Sequence, residues 1–256
     1  MAELDRRYAQ DTPVGRTDAA AVDQGLRAHM IRVYNYMASG VAITGIVAWL
    51  VYWAAGGDAI QVVNGTLVGL TPFGQFIFAS AFKWVVIFAP LAFVFFISAR
   101  INSMSVGMAQ TLFWVFSAVM GASLASIFVI YAGESIARVF FITAAAFGAL
   151  SLWGYTTSKD LTGWGSFLFM GLIGVIIAML VNLFIGSTAL QFAISVIGVL
   201  VFAGLTAYDT QKIKEMYYVG DDSTVAGRKA VMGALTLYLD FINLFLLLLQ
   251  LFGNRR

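Results

Sequence analysis

Seven long apolar stretches follow one another along the chain, separated by short polar links. Leu, Ile, Val, Phe, Ala and Gly fill these stretches in continuous runs. Continuous runs of about 20 apolar residues are typical of membrane-spanning helices, whereas alternating segments of about 10 residues would indicate an outer-membrane barrel. The pattern therefore predicts an all-α integral membrane protein, a bundle of seven transmembrane helices. The predicted spans are residues 34–56, 76–99, 107–131, 135–157, 164–186, 189–209 and 232–252.

Polar residues concentrate at the start of the chain. Residues 1–33 mix acidic and arginine side chains and contain no apolar run, so they are predicted to form a polar cytoplasmic tail. His29, in that tail, is expected to be a solvated residue near the membrane surface. The chain thus divides into the tail 1–33, the helical membrane domain 34–252 and a short C-terminal tail 253–256.

Composition strengthens the membrane prediction and narrows the chemistry. Of the 256 residues, 61% are hydrophobic and only 11% are charged, whereas soluble proteins average about 25% charged residues. The chain has no cysteine and one histidine, which excludes disulfides and thiol nucleophiles and leaves imidazole metal sites nearly unsupported. A net charge of +2 is too small to indicate nucleic-acid binding. The expected surroundings are a lipid bilayer, and no cofactor is predicted.

The distribution of Lys and Arg predicts how the spans are oriented. With the N-terminus in the cytoplasm, eleven of the 15 basic residues lie on the cytoplasmic side, as the positive-inside rule requires. The outside then holds Arg138, Arg255, Arg256 and Lys83, whose side chain is expected to extend outward from two turns inside the second span. Seven spans place the C-terminus outside. A last stretch that re-enters the membrane and returns would place it in the cytoplasm instead.

Two acidic residues lie within apolar stretches and carry the main functional prediction. Asp209 ends the sixth stretch, and Asp240 lies eight residues into the seventh. Ionisable residues at membrane depth usually face the interior of a bundle and mark ion or proton pathways. Since these two stretches are consecutive and antiparallel, the carboxyls are expected at nearby depths, where they can pair and share a proton. A helix cap at the membrane surface is the alternative role for Asp209.

The seventh stretch also carries a polar stripe, formed by Gly233, Thr236, Asp240, Asn243 and Gln250. Their spacing places them on one face of a helix. A helix surrounded by lipid would not keep such a face. This helix is therefore predicted to lie inside the bundle, with the stripe facing a cavity, a partner helix or an ion path.

Three segments resemble the bacterial branch of the Bax inhibitor-1 family, also called the transmembrane Bax inhibitor motif family. They are GALTLYLDFINLF, AGLTAYDTQKIK and GYTTSKDLTGWGSFLFMGLIG. The resemblance implies a seven-helix bundle with a central last helix, located in the bacterial inner membrane, that lets calcium ions leak under pH control. It also implies that Asp209 and Asp240 form a proton-sharing sensor. Arg100, near the end of the second span, is the corresponding candidate for a latch, a cation that holds Asp209 in the closed state.

Calcium chemistry fits a weak site at the two aspartates. Ca²⁺ takes about six to eight oxygen ligands, and the neighbouring helix positions, such as Thr236 and Asn243, offer only neutral groups. Two carboxylates suit weak, transient calcium binding, which conduction requires.

An interaction protein is the alternative function. It would be a membrane-embedded partner and modulator of an ATP-dependent membrane protease, and residues 1–33 would contact that protease. A proton-coupled transporter is less favoured because no inverted repeat is evident. An enzyme is not predicted, since the motifs of intramembrane aspartyl proteases are absent.

Overall fold

Long helices account for most of the structure. A computed structural model describes residues 12–63 and 66–256, with side chains from residue 23 onward. In this part of the chain seven helices are long and apolar enough to cross a membrane, which confirms the predicted fold class. They are α1 (Thr12–Ala55), α2 (Phe82–Arg100), α3 (Val106–Leu124), α4 (Gly133–Thr156), α5 (Thr162–Ile185), α6 (Thr188–Glu215) and α7 (Ser223–Phe252).

The last helix, α7, lies at the centre of the bundle. Of the 18 consecutive residues that form the most apolar segment of α7, 72% are buried. In the other six helices, 11% to 33% of the corresponding segment is buried. It packs against α1, α3, α4 and α6, while α2 packs mainly on α3 and α5 mainly on α6. The predicted central position of the C-terminal helix is confirmed. We call the end of the bundle at which α1 begins the inner end, and the end at which α7 stops the outer end.

Glycines allow close contact between helix backbones. A Cβ atom added to Gly121 of α3 would lie 2.6 Å from the backbone oxygen of Thr44 in α1. One added to Gly154 of α4 would lie 2.3 Å from the backbone oxygen of Ala207 in α6. Lipid tails are as apolar as the helices, so helix association in a membrane depends on this kind of close packing and on hydrogen bonds.

The first helix begins earlier than the sequence indicated. Helix α1 starts at Thr12, so no structural boundary lies at the predicted end of the tail, residue 33. His29 is buried, only 7% exposed, contrary to the expected solvated position. The reason is an apolar stripe at helical spacing within the polar sequence, which packs on the core: Leu26, Met30, Val33 and Met37. Residues 1–11 of the predicted tail lie outside the described residues, and its cytoplasmic location stays a prediction.

The connection between α1 and α2 delays the start of the second long helix. It contains an antiparallel hairpin of β1 (Gln61–Val63) and β2 (Thr66–Val68). A π-helical turn follows at Gln75–Ala79, and Ser80 is extended, so α2 begins at Phe82 rather than at residue 76. Lys83 therefore lies in the first turn of α2, at the outer end, and not two turns inside a span as predicted.

The C-terminal residues lie against the outer end of the bundle. The backbone oxygen of Asn254 accepts a hydrogen bond from Ala132 at 3.0 Å. The Arg256 side chain donates to the Tyr52 hydroxyl at 2.9 Å and pairs with Asp58 at 3.3 Å. Because α7 is one continuous helix of 30 residues, the start of α1 and the C-terminus lie at opposite ends of the bundle. The re-entrant alternative for the last stretch is therefore wrong.

Candidate functional site: a carboxyl pair between α6 and α7

The two aspartates predicted from the sequence come together in the structure. Asp240 lies in the middle of α7 and is 5% exposed. Its carboxyl faces that of Asp209 on α6, within reach of a side-chain hydrogen bond. The antiparallel packing of two consecutive helices produces this contact, as the sequence predicted.

Asp240 lacks a conventional hydrogen-bond donor. Its Oδ2 atom is buried and has no hydrogen-bond partner among the described residues. An ionised carboxylate can only accept hydrogen bonds, and an unpaired buried charge is very unfavourable. A carboxyl opposite another carboxyl is therefore satisfied in one of two ways, by a proton held between them or by a cation bound to both.

The polar stripe of α7 faces α6. A Cβ atom added to Gly233 would lie 3.0 Å from Cγ2 of Ile213, so the two helices are in close contact there. Further along, Ser195 of α6 donates a hydrogen bond to Oε1 of Gln250 at 2.9 Å. At Gly233, Asp240 and Gln250 the stripe thus contacts a partner helix, which is one of the three predicted surroundings, and the carboxyl pair lies between the other two contacts.

Thr236 and Asn243 have a more limited role in this structure. Thr236 donates to the backbone oxygen of Met232 at 3.1 Å, and Asn243 donates to that of Leu239 at 2.8 Å. Each bond stays within α7 and spans four residues. Both side chains are half-buried, and their predicted contribution to an ion path stays a prediction.

A chain of hydroxyl groups, not predicted from the sequence, supports α6 beside Asp209. Tyr34 of α1 lies 2.7 Å from Ser151 of α4, which lies 2.8 Å from Thr210 of α6. Thr210 uses its only proton on the backbone oxygen of Thr206. Ser151 must therefore donate to Thr210, and Tyr34 to Ser151. The chain joins three helices and ends one residue from Asp209.

A second buried network surrounds Tyr238, which was also not predicted. The Tyr238 hydroxyl lies 2.6 Å from that of Thr44, and Thr44 lies 2.9 Å from the backbone oxygen of Ser117. Edge-on contacts with Phe113 and Phe116 enclose the tyrosine ring. This network fixes the face of α7 opposite α6 to α1 and α3, so that the carboxyl of Asp240 points toward α6.

Comparison with known proteins identifies the family. The family model described as "Inhibitor of apoptosis-promoting Bax1" matches residues 26–256, which include both aspartates. The chain belongs to the Bax inhibitor-1 family. The predicted family is therefore confirmed.

Bacterial relatives of this family member match over nearly the whole chain. The inner membrane protein YbhL of Escherichia coli is 46% identical over 238 residues, which cover 91% of this chain and 94% of YbhL. A Caulobacter vibrioides protein is 45% identical over 259 residues and covers all of both chains. A Rickettsia prowazekii protein is 47% identical over 234 residues, 91% of this chain and 92% of its own.

The structure of this family member does not bring Arg100 to Asp209. Arg100 is exposed at the inner end of α2, and the ion pairs of the described residues involve neither side chain. The link after α2 is attached to α7, because Arg228 donates to the backbone oxygens of Met104 and Asn102, each at 2.7 Å. A latch between Arg100 and Asp209 would require a conformation different from the one described, and it stays a prediction.

The carboxyl pair is a small ligand set. No cluster of three or more His, Cys, Asp or Glu side chains suited to a metal ion occurs within the described part of the chain. Two carboxyls provide far fewer oxygen ligands than the six to eight, roughly, that Ca²⁺ prefers. The two carboxyls by themselves therefore do not form a complete calcium site.

Two acidic residues between α6 and α7, Asp221 and Asp222, fix the start of α7. Asp222 accepts hydrogen bonds from the backbone N–H groups of Thr224 at 2.7 Å and Val225 at 2.8 Å, and so caps the start of α7. These bonds hold the pKa of Asp222 below its ordinary value. Asp221 pairs with Lys229 at 2.5 Å. The inner end of α7 is therefore fixed by both carboxylates.

Proposed function

We propose that this family member is a pH-sensitive calcium leak channel of the bacterial inner membrane, gated by the carboxyls of Asp209 and Asp240. One observation carries the proposal: Asp240 is buried at mid-helix, has no donor for Oδ2 and faces a second carboxyl. The inner membrane location is supported by the name of the relative YbhL. A cytoplasmic N-terminus is supported by the distribution of basic residues.

Electrostatics supplies the pH dependence. With a proton between them, the two carboxyls carry one negative charge and hold α6 against α7. After that proton is lost, two negative charges face each other in a medium of low dielectric constant, where repulsion is strong. The carboxyls then separate or admit a cation. Calcium, a hard cation that binds carboxylate oxygens, competes with the proton for the site.

Conduction requires α6 and α7 to separate beyond the pair. Toward the outer end their interface is closed by apolar packing, because a Cβ atom added to Gly198 would lie 2.8 Å from Cδ1 of Leu247. Phe202 and Leu244 are buried in the same region. In this proposal the described structure is the closed conformation, and repulsion at the carboxyl pair provides the force that loosens the apolar contact.

Calcium flux into proteoliposomes across pH 5 to 8 tests the proposal. The wild type is expected to carry calcium in a pH-dependent manner, and calcium binding is expected to weaken as pH falls. Asp240→Asn and Asp209→Asn remove titration while keeping the side-chain shape, so each should flatten the pH profile. Asp58→Asn, an exposed acid at the outer end, is the matched control and should keep the wild-type profile.

Two results would contradict the proposal. One is an Asp240→Asn variant with the wild-type pH response, and the other is wild-type flux no greater than that of empty vesicles. Infrared spectroscopy adds an independent readout, since a proton-sharing pair gives a protonated carboxyl band near neutral pH that both Asn variants should lose. If both carboxyls are already ionised at pH 5, they share no proton. The two aspartates would then be only cation ligands or structural groups.

The protease-partner alternative stays a prediction. Its discriminating experiment is deletion of residues 2–11, which precede α1 as described. Calcium flux in vesicles should survive this deletion if the bundle itself conducts. A protease interaction mediated by the tail should be lost, as measured by co-purification of the protease with the full-length and truncated chains.

A further inference from the structure

Helices α1 and α4 leave a groove between them, and α7 forms its floor. The groove encloses a cavity of about 760 Å³ that reaches Phe241 of α7. A second cavity of about 310 Å³ shares Val41, Phe140 and Phe241 with the first and continues it toward the outer end. We call the two together the α1–α4 groove. Neither aspartate of the carboxyl pair lines it.

The length of the groove matches a lipid acyl chain. In the larger cavity, the lining residues of α1 run from Arg27 to Ala42, and those of α4 run from Phe140 to Tyr155. At a rise of 1.5 Å per residue each wall is about 22 Å long. One leaflet contributes about 15 Å of hydrocarbon, half of the roughly 30 Å core. The groove therefore accommodates one acyl chain together with the polar end of its lipid.

The width of the groove favours an acyl chain over a protein helix. Small residues interrupt its walls, among them Ala38, Ala42 and Ala144, and a Cβ atom added to Gly148 would meet no atom within 4 Å. A helix with its side chains is about 10 Å across, whereas an extended acyl chain is much narrower. A narrow flexible chain fits the space that is present.

Charge at the inner end of the groove points to an anionic lipid. Arg27 is exposed and lines this end. Lys214 lies beside it, because its Nζ donates to the backbone oxygen of Tyr155 at 2.9 Å and is 5.4 Å from the centre of the Tyr155 ring. The lining residues include no Asp or Glu. Basic groups between helices at a membrane surface are suited to anionic headgroups.

We infer that the α1–α4 groove binds an anionic phospholipid, with one acyl chain between α1 and α4 and the phosphate at Arg27. The site is separate from the carboxyl pair and does not depend on calcium conduction. It gives Arg27 a specific role. From the sequence, Arg27 was only one of the eleven basic residues expected on the cytoplasmic side.

Native mass spectrometry tests this inference with two defined lipids, phosphatidylglycerol and phosphatidylcholine of the same acyl chains. The protein in mild detergent should retain one phosphatidylglycerol in preference to phosphatidylcholine. Arg27→Gln should lower phosphatidylglycerol retention about fivefold, the effect of one basic residue near a membrane surface, and leave phosphatidylcholine unchanged. Gly148→Leu should displace both lipids, because the new side chain fills open space in the groove.

Matched variants separate the groove from the rest of the membrane surface. Arg138→Gln changes an exposed arginine at the opposite end of α4, and Gly174→Leu places the same side chain in open space on α5. Both should retain phosphatidylglycerol as the wild type does. Wild-type retention in Gly148→Leu, or equal losses in Arg27→Gln and Arg138→Gln, would overturn the inference.

A photoreactive side chain at position 38 identifies the occupant directly. Illumination in membranes should give an adduct with the mass of one phospholipid, whereas the same group at position 174 should give only weak, unselective labelling. An adduct between position 38 and another polypeptide would overturn the lipid site and identify the groove as a protein interface.

Discussion

Ser151 of α4 lies 2.8 Å from Thr210 of α6, hydroxyl to hydroxyl. Both side chains are buried. Because Ser151 also bonds Tyr34 of α1, the contact links α1 to Thr210, the residue that follows Asp209. Hydrogen bonds between helices in a membrane contribute about 0.6 kcal/mol on average. Even so, the bond to Thr210, supported by the bond from Tyr34 to Ser151, restricts the rotation of α6 that would carry Asp209 away from Asp240.

Removing the central hydroxyl of this chain should destabilise the bundle. Ser151→Ala eliminates two hydrogen bonds and leaves the half-buried Tyr34 hydroxyl without its acceptor, so the free energy of unfolding in detergent should fall by about 1 to 2 kcal/mol. Thermal unfolding followed by circular dichroism measures the change. Thr111→Ala is the control, since Thr111 is exposed and bonds only the backbone oxygen of Gly107. Equal stability of the two variants would show that the chain contributes nothing.

The contact of α4 with α6 can be tested by two identical substitutions on one helix. Gly154→Ala places a methyl group 2.3 Å from the backbone oxygen of Ala207, so the helices must move apart. Overpacking of this kind destabilises by about 1 to 3 kcal/mol. Gly148→Ala meets no atom within 4 Å and should stabilise by up to about 1 kcal/mol, because alanine favours helix. Unfolding curves that show a change in stability of the same sign for both variants would contradict the close approach of α4 and α6.

The main parts of the fold could be predicted from the sequence because their physical constraints are local. A membrane-spanning helix needs a long apolar run, and each of the seven runs is visible by itself. The position of α7 followed from its polar stripe, and the pairing of Asp209 with Asp240 followed from antiparallel order. Each conclusion uses residues that are near one another in the chain or in consecutive helices.

Other features depend on partners that are distant in sequence. Tyr34 at the start of an apolar run looks like an interfacial anchor until Ser151 is known to lie opposite it. Thr44 and Tyr238 are 194 residues apart. The polar composition of residues 23–33 also concealed a helix, because the few apolar side chains that pack on the core are spaced among charged ones. No local pattern distinguishes these cases.

The cap of α7 gives a pH-dependent prediction. Backbone N–H groups of Val225 and Thr224 lower the pKa of Asp222 in the folded protein below an unfolded value of about 3.9. The carboxylate therefore stabilises the fold fully above that value, and the contribution is lost as pH falls through the lower folded pKa. Asp222→Asn retains a capping group but does not titrate. The difference in melting temperature between wild type and Asp222→Asn should be constant from pH 8 to 5 and shrink below pH 4.

Asp222→Ala serves as the comparison for this experiment. It removes the cap itself, so its melting temperature should lie below that of Asp222→Asn throughout the range. A difference between wild type and Asp222→Asn that stays unchanged down to pH 2.5 would show that the charge of Asp222 does not contribute to the cap.

The latch between Arg100 and Asp209 requires a conformation in which α2 approaches α6, and a double-mutant cycle detects it without a second structure. If the latch holds the channel closed, Arg100→Ala and Asp209→Ala should each raise basal calcium leak by up to about fivefold, corresponding to roughly 1 kcal/mol for an exposed ion pair. The double variant should then leak less than the product of the two single effects. Arg138→Ala combined with Asp209→Ala provides the control, because Arg138 lies at the opposite end of the bundle. The leak of this double variant should equal the product of the two single effects. Strictly multiplicative effects for Arg100 and Asp209 would leave Arg100 as an exposed basic residue at the inner membrane surface and assign gating to the carboxyl pair alone.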